Sequence, residues 1–139
     1  GAQQQTTTTN RERKPMALVI RNLGTGTLTN TTAQTTGPLP GKSWLIENII
    51  LTNRDSAPRT MDLKLMNGAA LTNGYATSGG SYIAAPGMTV PGLTTVVIND
   101  QITLQNPNGG TAQTLSIGVT GTAASPGIDV VVNGLERDL

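Results

Sequence analysis

The 139-residue chain contains no histidine, no cysteine and no phenylalanine, and its only rings are Trp44, Tyr75 and Tyr82. Each absence removes a class of chemistry. Without His or Cys there is no Ser-His-Asp triad, no Cys-His dyad, no imidazole or thiolate metal site, and no disulfide to staple the fold. Three rings cannot build the stacking platform of a single-strand nucleic-acid binder. Charge is scarce as well, with nine Lys and Arg against eight Asp and Glu, a net of +1. Arg11, Arg13 and Lys14, with Glu12, give the segment before Pro15 a charge of +2, which leaves the rest at about −1. A body so sparsely charged has no basic stripe to neutralise a phosphate backbone, so nucleic acid is not an expected partner. No apolar run reaches the length of a membrane span, and no membrane partner is expected.

Carboxylate chemistry is what remains, as a glycosidase pair or a hard-cation site. The acids are Glu12, Glu47, Asp55, Asp62, Asp100, Asp129, Glu136 and Asp138, and between Glu47 and Asp129 no two lie closer than seven positions. A calcium loop gathers its oxygens from one short segment, and no such run exists here. No catalytic residue, metal ligand or cofactor site is therefore assigned. Asp55, Asp100 and Asp129 neighbour Ser, Asn, Pro or Gly, the setting in which Asp caps turns. Glu47 stands out as a carboxylate inside an apolar run. It reads either as an acid with a raised pKa or as a residue on an edge, at a subunit contact, or paired to Arg21, Arg59 or Lys64. The absence of a partner carboxylate in sequence favours the structural reading.

Abundance points elsewhere. Thr makes up about a sixth of the chain, and with Gly and Pro roughly a third. The branched Thr side chain suits a pleated strand, while Gly and Pro punctuate turns. Residues 1–15 are set apart: GAQQQTTTTN is polar and low in complexity, RERK follows, and such a segment cannot bury enough apolar surface to order itself. It is expected to be a flexible arm, with residues 16–139 forming the domain.

Strand-like runs follow at even spacing. Ala17 to Leu23 is closed by Gly24, Thr25 to Thr32 reads as an edge strand or extended arm, and Thr35 to Lys42 as a turn. Trp44 to Thr52 is almost continuously apolar, as in a strand buried on both faces. Asn53 to Pro58 (NRDSAP) is an elbow of residues that bond their own backbone. Met61, Leu63 and Leu65 then alternate with Thr60, Asp62 and Lys64, so Trp44 to Met66 predicts a hairpin. Asn67 to Gly80 reads as a long exposed loop. Further strands are expected at Tyr82 to Ala84, Met88 to Val90, Leu93 to Ile98, Gln101 to Gln105, Ala112 to Thr120 and Ile128 to Leu135. Eight to ten strands without a helix pattern predict an all-β fold, a single jelly-roll-like β-sandwich that hides its edges.

The run PGKSWLIENIILTNRDSAPRTMDLKL, then SYIAAPGMTVPGLTTVVINDQITL, then GIDVVVNGLE resembles small β-sandwich virion proteins of tailed bacteriophages. The likeness lies in the order of the elements. A Trp-containing strand leads to an Asn-centred loop, a T-x-x-L-x-L strand follows, a D-x-I-T-L strand comes later, and the last strand closes on V-x-G-x-E. The arm and the TGTLTNTTAQT segment lie outside it. The resemblance implies a non-enzymatic part on the outside of a phage head, at its neck or along its tail, as a trimer or ring. The leading expectation is a capsid decoration or cement protein that binds the major capsid protein on the outer head surface. Its contact residues would be Arg11, Arg13 and Lys14 on the arm, with Glu47, Asn53, Arg54 and Asp55 on the domain. A neck, tail or baseplate component is the nearest alternative. A carbohydrate- or receptor-binding module using Trp44, Tyr75 and Tyr82 is the alternative from another class.

Overall fold

A computed structural model describes residues 19–29, 34–68 and 80–139. Ten strands run through them: β1 (Val19–Leu28), β2 (Gln34–Thr36), β3 (Lys42–Asn53), β4 (Arg59–Asn67), β5 (Ser81–Tyr82), β6 (Met88–Val90), β7 (Thr95–Ile98), β8 (Ile102–Asn106), β9 (Gln113–Thr120) and β10 (Ile128–Asp138). All pairings are antiparallel and fall into two sheets. The first has the order β1-β10-β3, and the far edge of β3 is shared by β8 on Lys42–Ile46 and β7 on Ile49–Thr52. The second has the order β2-β9-β4, and the far edge of β4 is likewise shared by β6 on Arg59–Met61 and β5 on Lys64–Leu65. Leu28, Ile46, Ile49 and Leu51 from the first sheet join Met61, Leu63, Leu115 and Ile117 from the second in one buried cluster. The chain is an all-β protein built as a two-sheet sandwich. Each of these side chains contributes about 1.5–3 kcal/mol by leaving water.

Trp44 to Met66 is not a hairpin. β3 belongs to the first sheet and β4 to the second, so the elbow carries the chain from one layer to the other. The reason lies in the apolar faces. Both strands turn a full hydrophobic face toward the same interior, and sheets stacked about 10 Å apart satisfy both faces at once. The apparent two-faced burial of β3 also resolves. Trp44 and Ile46 point inward, then Ile49, Leu51 and Asn53 do, so the inward phase switches parity between them. The switch is a bulge at Glu47, where the register against β10 jumps from Asn48↔Asn133 to Ile46↔Gly134. Two alternating strands in opposite phase, joined by one extra residue, read in sequence as one continuous apolar run.

Two further expectations are corrected. Gly24 does not end the first strand. It sits beside a bulge in β1, between Asn22 and Gly24, and its N–H donates to Asn22 Oδ1 at 3.0 Å. The expected turn over Thr35 to Lys42 opens with strand β2, whose three residues pair with β9. The predicted arm of residues 1–15 lies outside the described residues, and so does most of the loop from Asn67 to Gly80.

The bulge in β3 also fixes one position on β10. A Cβ on Gly134 would overlap the carbonyl oxygen of Leu45 and stand 3.0 Å from Ile46 Cα, both backbone atoms of the bulged strand. Only glycine fits where the neighbouring strand presses so close. Gly134→Ala is therefore expected to lower stability by about 1–3 kcal/mol, in the range of an overpacked core. The midpoint of chemical denaturation measures this.

Candidate functional site

The elbow between the sheets is the densest polar node in the described structure. Asn53 is fully buried at the end of β3. Its Nδ2 donates to the carbonyls of Ala57 (2.9 Å), Val90 (3.1 Å) and Pro91 (3.3 Å), and its Oδ1 accepts from Asp55 N (2.9 Å). Asp55 is 7% exposed. Its carboxylate accepts from Ala57 N (3.1 Å), from Ser125 N (3.1 Å) and from Arg59 Nε and Nη2 (2.9 and 2.6 Å). The backbone of the elbow is held too, because Leu93 N donates to Asp55 O and Arg54 N to Gly127 O. Three separate loops meet here on two side chains.

Hydrogen bonds from the backbone of Ala57 and Ser125, with the Arg59 guanidinium, hold the Asp55 carboxyl at about 2, well below its ordinary 3.8. Its charge is thus committed to structure. A carboxyl that ionises more readily in the folded than in the unfolded chain adds stability wherever it is charged. That contribution is complete above the ordinary value and is lost as pH falls through about 2.

The other residues predicted for contact separate into three groups. Arg54 extends outward from the elbow and pairs with Asp129 (Nε to Oδ2, 3.1 Å), which also accepts from Thr27 Oγ1 at 2.6 Å. Glu47 is the bulge residue of β3 and accepts from Gln101 Nε2 at 3.2 Å. Arg11, Arg13 and Lys14 lie outside the described residues, as does Tyr75. Asn53 and Asp55 turn their side chains into the domain, so within the elbow Arg54 alone offers a charged side chain to a neighbour. Trp44 is a core residue whose Nε1 donates to Glu136 Oε2 at 2.9 Å. Tyr82 is exposed but carries the Lys64 ammonium over its ring, 4.9 Å from the centroid. Among the described residues, no three acidic side chains come together in a way that could hold a metal ion.

The outer face of the first sheet is the feature sequence reading missed. Ladder register places Thr25, Val131, Ile50 and Val97 in one row across four strands, all on the side away from the core. A second row holds Leu135, Leu45 and Thr103. Between them lies an amide row of Asn22, Asn133 and Asn48, in which Asn133 Nδ2 donates to Asn48 Oδ1 at 3.0 Å. Val97 is 46% exposed, and a shallow groove of about 180 Å³ is lined by Ser43, Leu45, Thr103, Leu135 and Arg137. Each strand alone shows one or two outward aliphatics. Only the registry of β1, β10, β3 and β7 makes rows of them, and registry between distant strands is not readable from one sequence.

The second sheet differs. Lys64, Thr114 and Ser116 alternate with inward core residues, yet they are 5%, 0% and 4% exposed. Leu93 adds a further oddity at the elbow end. It is highly exposed and takes φ = 51°, a conformation that bulky side chains rarely adopt.

No family model matches the chain, and no curated protein or solved structure is significantly similar to it.

Asp55→Asn is expected to lower the denaturation midpoint at neutral pH. The gap to the wild-type protein should close as pH falls from about 4 toward 2, because the wild-type carboxyl then takes up its proton. Denaturant titrations across that window check it, and a gap that does not change with pH would show that the charge contributes nothing.

Proposed function

We propose that the chain is a structural protein of a tailed-bacteriophage virion, of the decoration or cement kind. It seats as a trimer on the outer surface of the assembled head, against the major capsid protein. One observation carries the reading, the outer face of the first sheet. It is broad, it presents aliphatic rows separated by amides, and its charged groups include the Asp129–Arg54 pair at one end and Arg137 beside the groove at the other. Such a face suits a partner that is itself an extended protein surface, since apolar rows supply burial and amides fix register. The resemblance of the sequence, in the order of its motifs, to phage virion β-sandwiches points the same way.

The sandwich is read further as a jelly roll. The chain passes from sheet to sheet between β1 and β2, β2 and β3, β3 and β4, β6 and β7, β8 and β9, and β9 and β10. If each pair of short edge strands counts as one, the sheets have four places each, an eight-strand arrangement. Jelly rolls of this size recur in viral shells.

The mechanism is mass action. A protein that binds only the assembled shell makes the shell harder to open, by an amount set by its affinity and concentration. The arm with Arg11, Arg13 and Lys14 adds reach, ordering on contact with an acidic neighbour. Arg54 lies at the border of the sheet face and Glu47 midway along β3, between the stretches paired with β8 and β7, and they contribute register more than affinity.

The experiment is a titration of purified heads of the parent phage with the protein, read as copies bound per head. Val97→Lys leaves the fold intact, because the side chain is already exposed. It is expected to weaken binding about tenfold, or 1.4 kcal/mol. Removal of residues 1–15 is expected to weaken binding independently. Full occupancy by the Val97→Lys variant would discard the sheet face as the contact. Failure of the wild-type protein to bind heads at all would discard the reading.

A further inference from the structure

We infer that Asn108 is a site of spontaneous covalent modification, its side-chain amide being lost through attack by the backbone nitrogen of Gly109. Three Asn-Gly pairs lie among the described residues: Asn67–Gly68, Asn108–Gly109 and Asn133–Gly134. Their local chemistry is the same. Glycine has no Cβ to shield its nitrogen or to restrict the backbone, so in an unfolded chain all three react alike. The fold makes them unequal.

Asn133–Gly134 is locked. Both residues pair on two sides in the interior of the first sheet, the Asn133 amide donates to Asn48, and Gly134 is pressed against Leu45. Asn67–Gly68 is half restrained. Gly68 N donates to Ala112 O at 2.7 Å, and Asn67 Oδ1 accepts from Gln113 Nε2 at 3.3 Å. Asn108–Gly109 has neither constraint. β8 ends at Asn106, and the two residues form the exposed middle of a turn closed by Gly110 N donating to Pro107 O at 3.0 Å. Gly109 takes φ = 72° with nothing within 4 Å of where its Cβ would be, and its N–H enters no backbone hydrogen bond among the described residues. The nucleophile has no backbone hydrogen bond to give up, and the exposed Asn108 amide, which rests against Gly41, is held by no backbone ladder.

The reaction balances with water alone. The Gly109 nitrogen loses its proton to solvent and bonds to Asn108 Cγ. The Cγ–Nδ2 bond breaks, and ammonia leaves with the returned proton. Water then opens the resulting five-membered imide on either side, giving aspartate or the isomer with an extra backbone methylene. Either product places a carboxylate beside Gly41, where the Asn108 amide now packs. Gly41 receives Leu139 N on its carbonyl and donates its own N–H to Asn106 O, so the new charge appears where β3, β8 and Leu139 meet.

The test is incubation of the purified full chain at mildly alkaline pH, native and in denaturant, with conversion at each Asn followed by peptide mass mapping. In denaturant the three pairs should convert at similar rates. In the native protein Asn108 should keep nearly its unfolded rate, while Asn133 should slow by at least about a hundredfold, since it reacts only when the sheet opens. Asn108→Ser should abolish the native conversion and leave the rates at Asn67 and Asn133 unchanged. Native conversion at Asn108 no faster than at Asn133 would overturn the assignment. So would rates in denaturant that already separate the three, because sequence and not fold would then be the cause.

Discussion

The buried amide of Asn53 is the constraint on which the two-layer arrangement rests. Where β3 leaves the first sheet, the chain must cross the core and enter the second, and the backbone groups of the crossing lose their ladder partners. Asn53 answers for several at once. Its NH₂ holds carbonyls from the elbow itself and from the Val90–Pro91 segment, and its oxygen holds Asp55 N. Asp55 extends the bonding to Ser125. An unpaired buried backbone group costs about 1–3 kcal/mol, so without this side chain the elbow would have to open to water. The same bonds position Arg54, the only member of the trio to project outward, beside Asp129. Structure at the elbow and presentation at its rim are consequences of one residue's inward orientation.

The two bulges share a similar economy. β1 slips between Asn22 and Gly24, opposite the step from Asn133 to Val132, and β3 slips at Glu47, opposite the step from Asn133 to Gly134, so the two slips flank Asn133 on the strand between them. A slip on one side alone would shear the sheet's rows out of line. Slips on both flanks, one on either side of Asn133, keep the row of Thr25, Val131, Ile50 and Val97 in line across four strands and that of Leu135, Leu45 and Thr103 across three. The alignment of the outer rows therefore depends in part on the β3 slip that forces glycine at 134, and the amide row marks the line between the two slips.

Much of the fold was legible in the sequence because strand alternation is a local property. The strand of Leu115, Ile117 and Val119 and the inward face of Met61 and Leu63 appear where periodicity put them. What failed was long-range. A six-residue elbow fits a hairpin or a crossing to another sheet equally well, and only the burial of Asn53 and the partners of β3 and β4 decide between them. Gly24 looked like a terminator because glycine's freedom serves turns and bulges alike. For the candidate site, the elbow was found from its turn chemistry, but the orientation of Asn53 and Asp55 was not, since Asx side chains cap turns facing either inward or outward. The sheet face escaped altogether, being a property of four strands drawn from both ends of the chain.

The divided outer strands have a mechanical meaning. At the fourth place of each sheet the edge is made of two short pieces, β7 with β8 and β6 with β5, each held by only two to five paired residues. A single long edge strand peels from its neighbour like a zipper, every lost bond easing the loss of the next. Here peeling that starts in one piece stops at the intervening loop, and the other piece stays seated on β3 or β4. The sandwich is thus closed along that side by four independent latches, and the breathing of one leaves the core beneath the others dry.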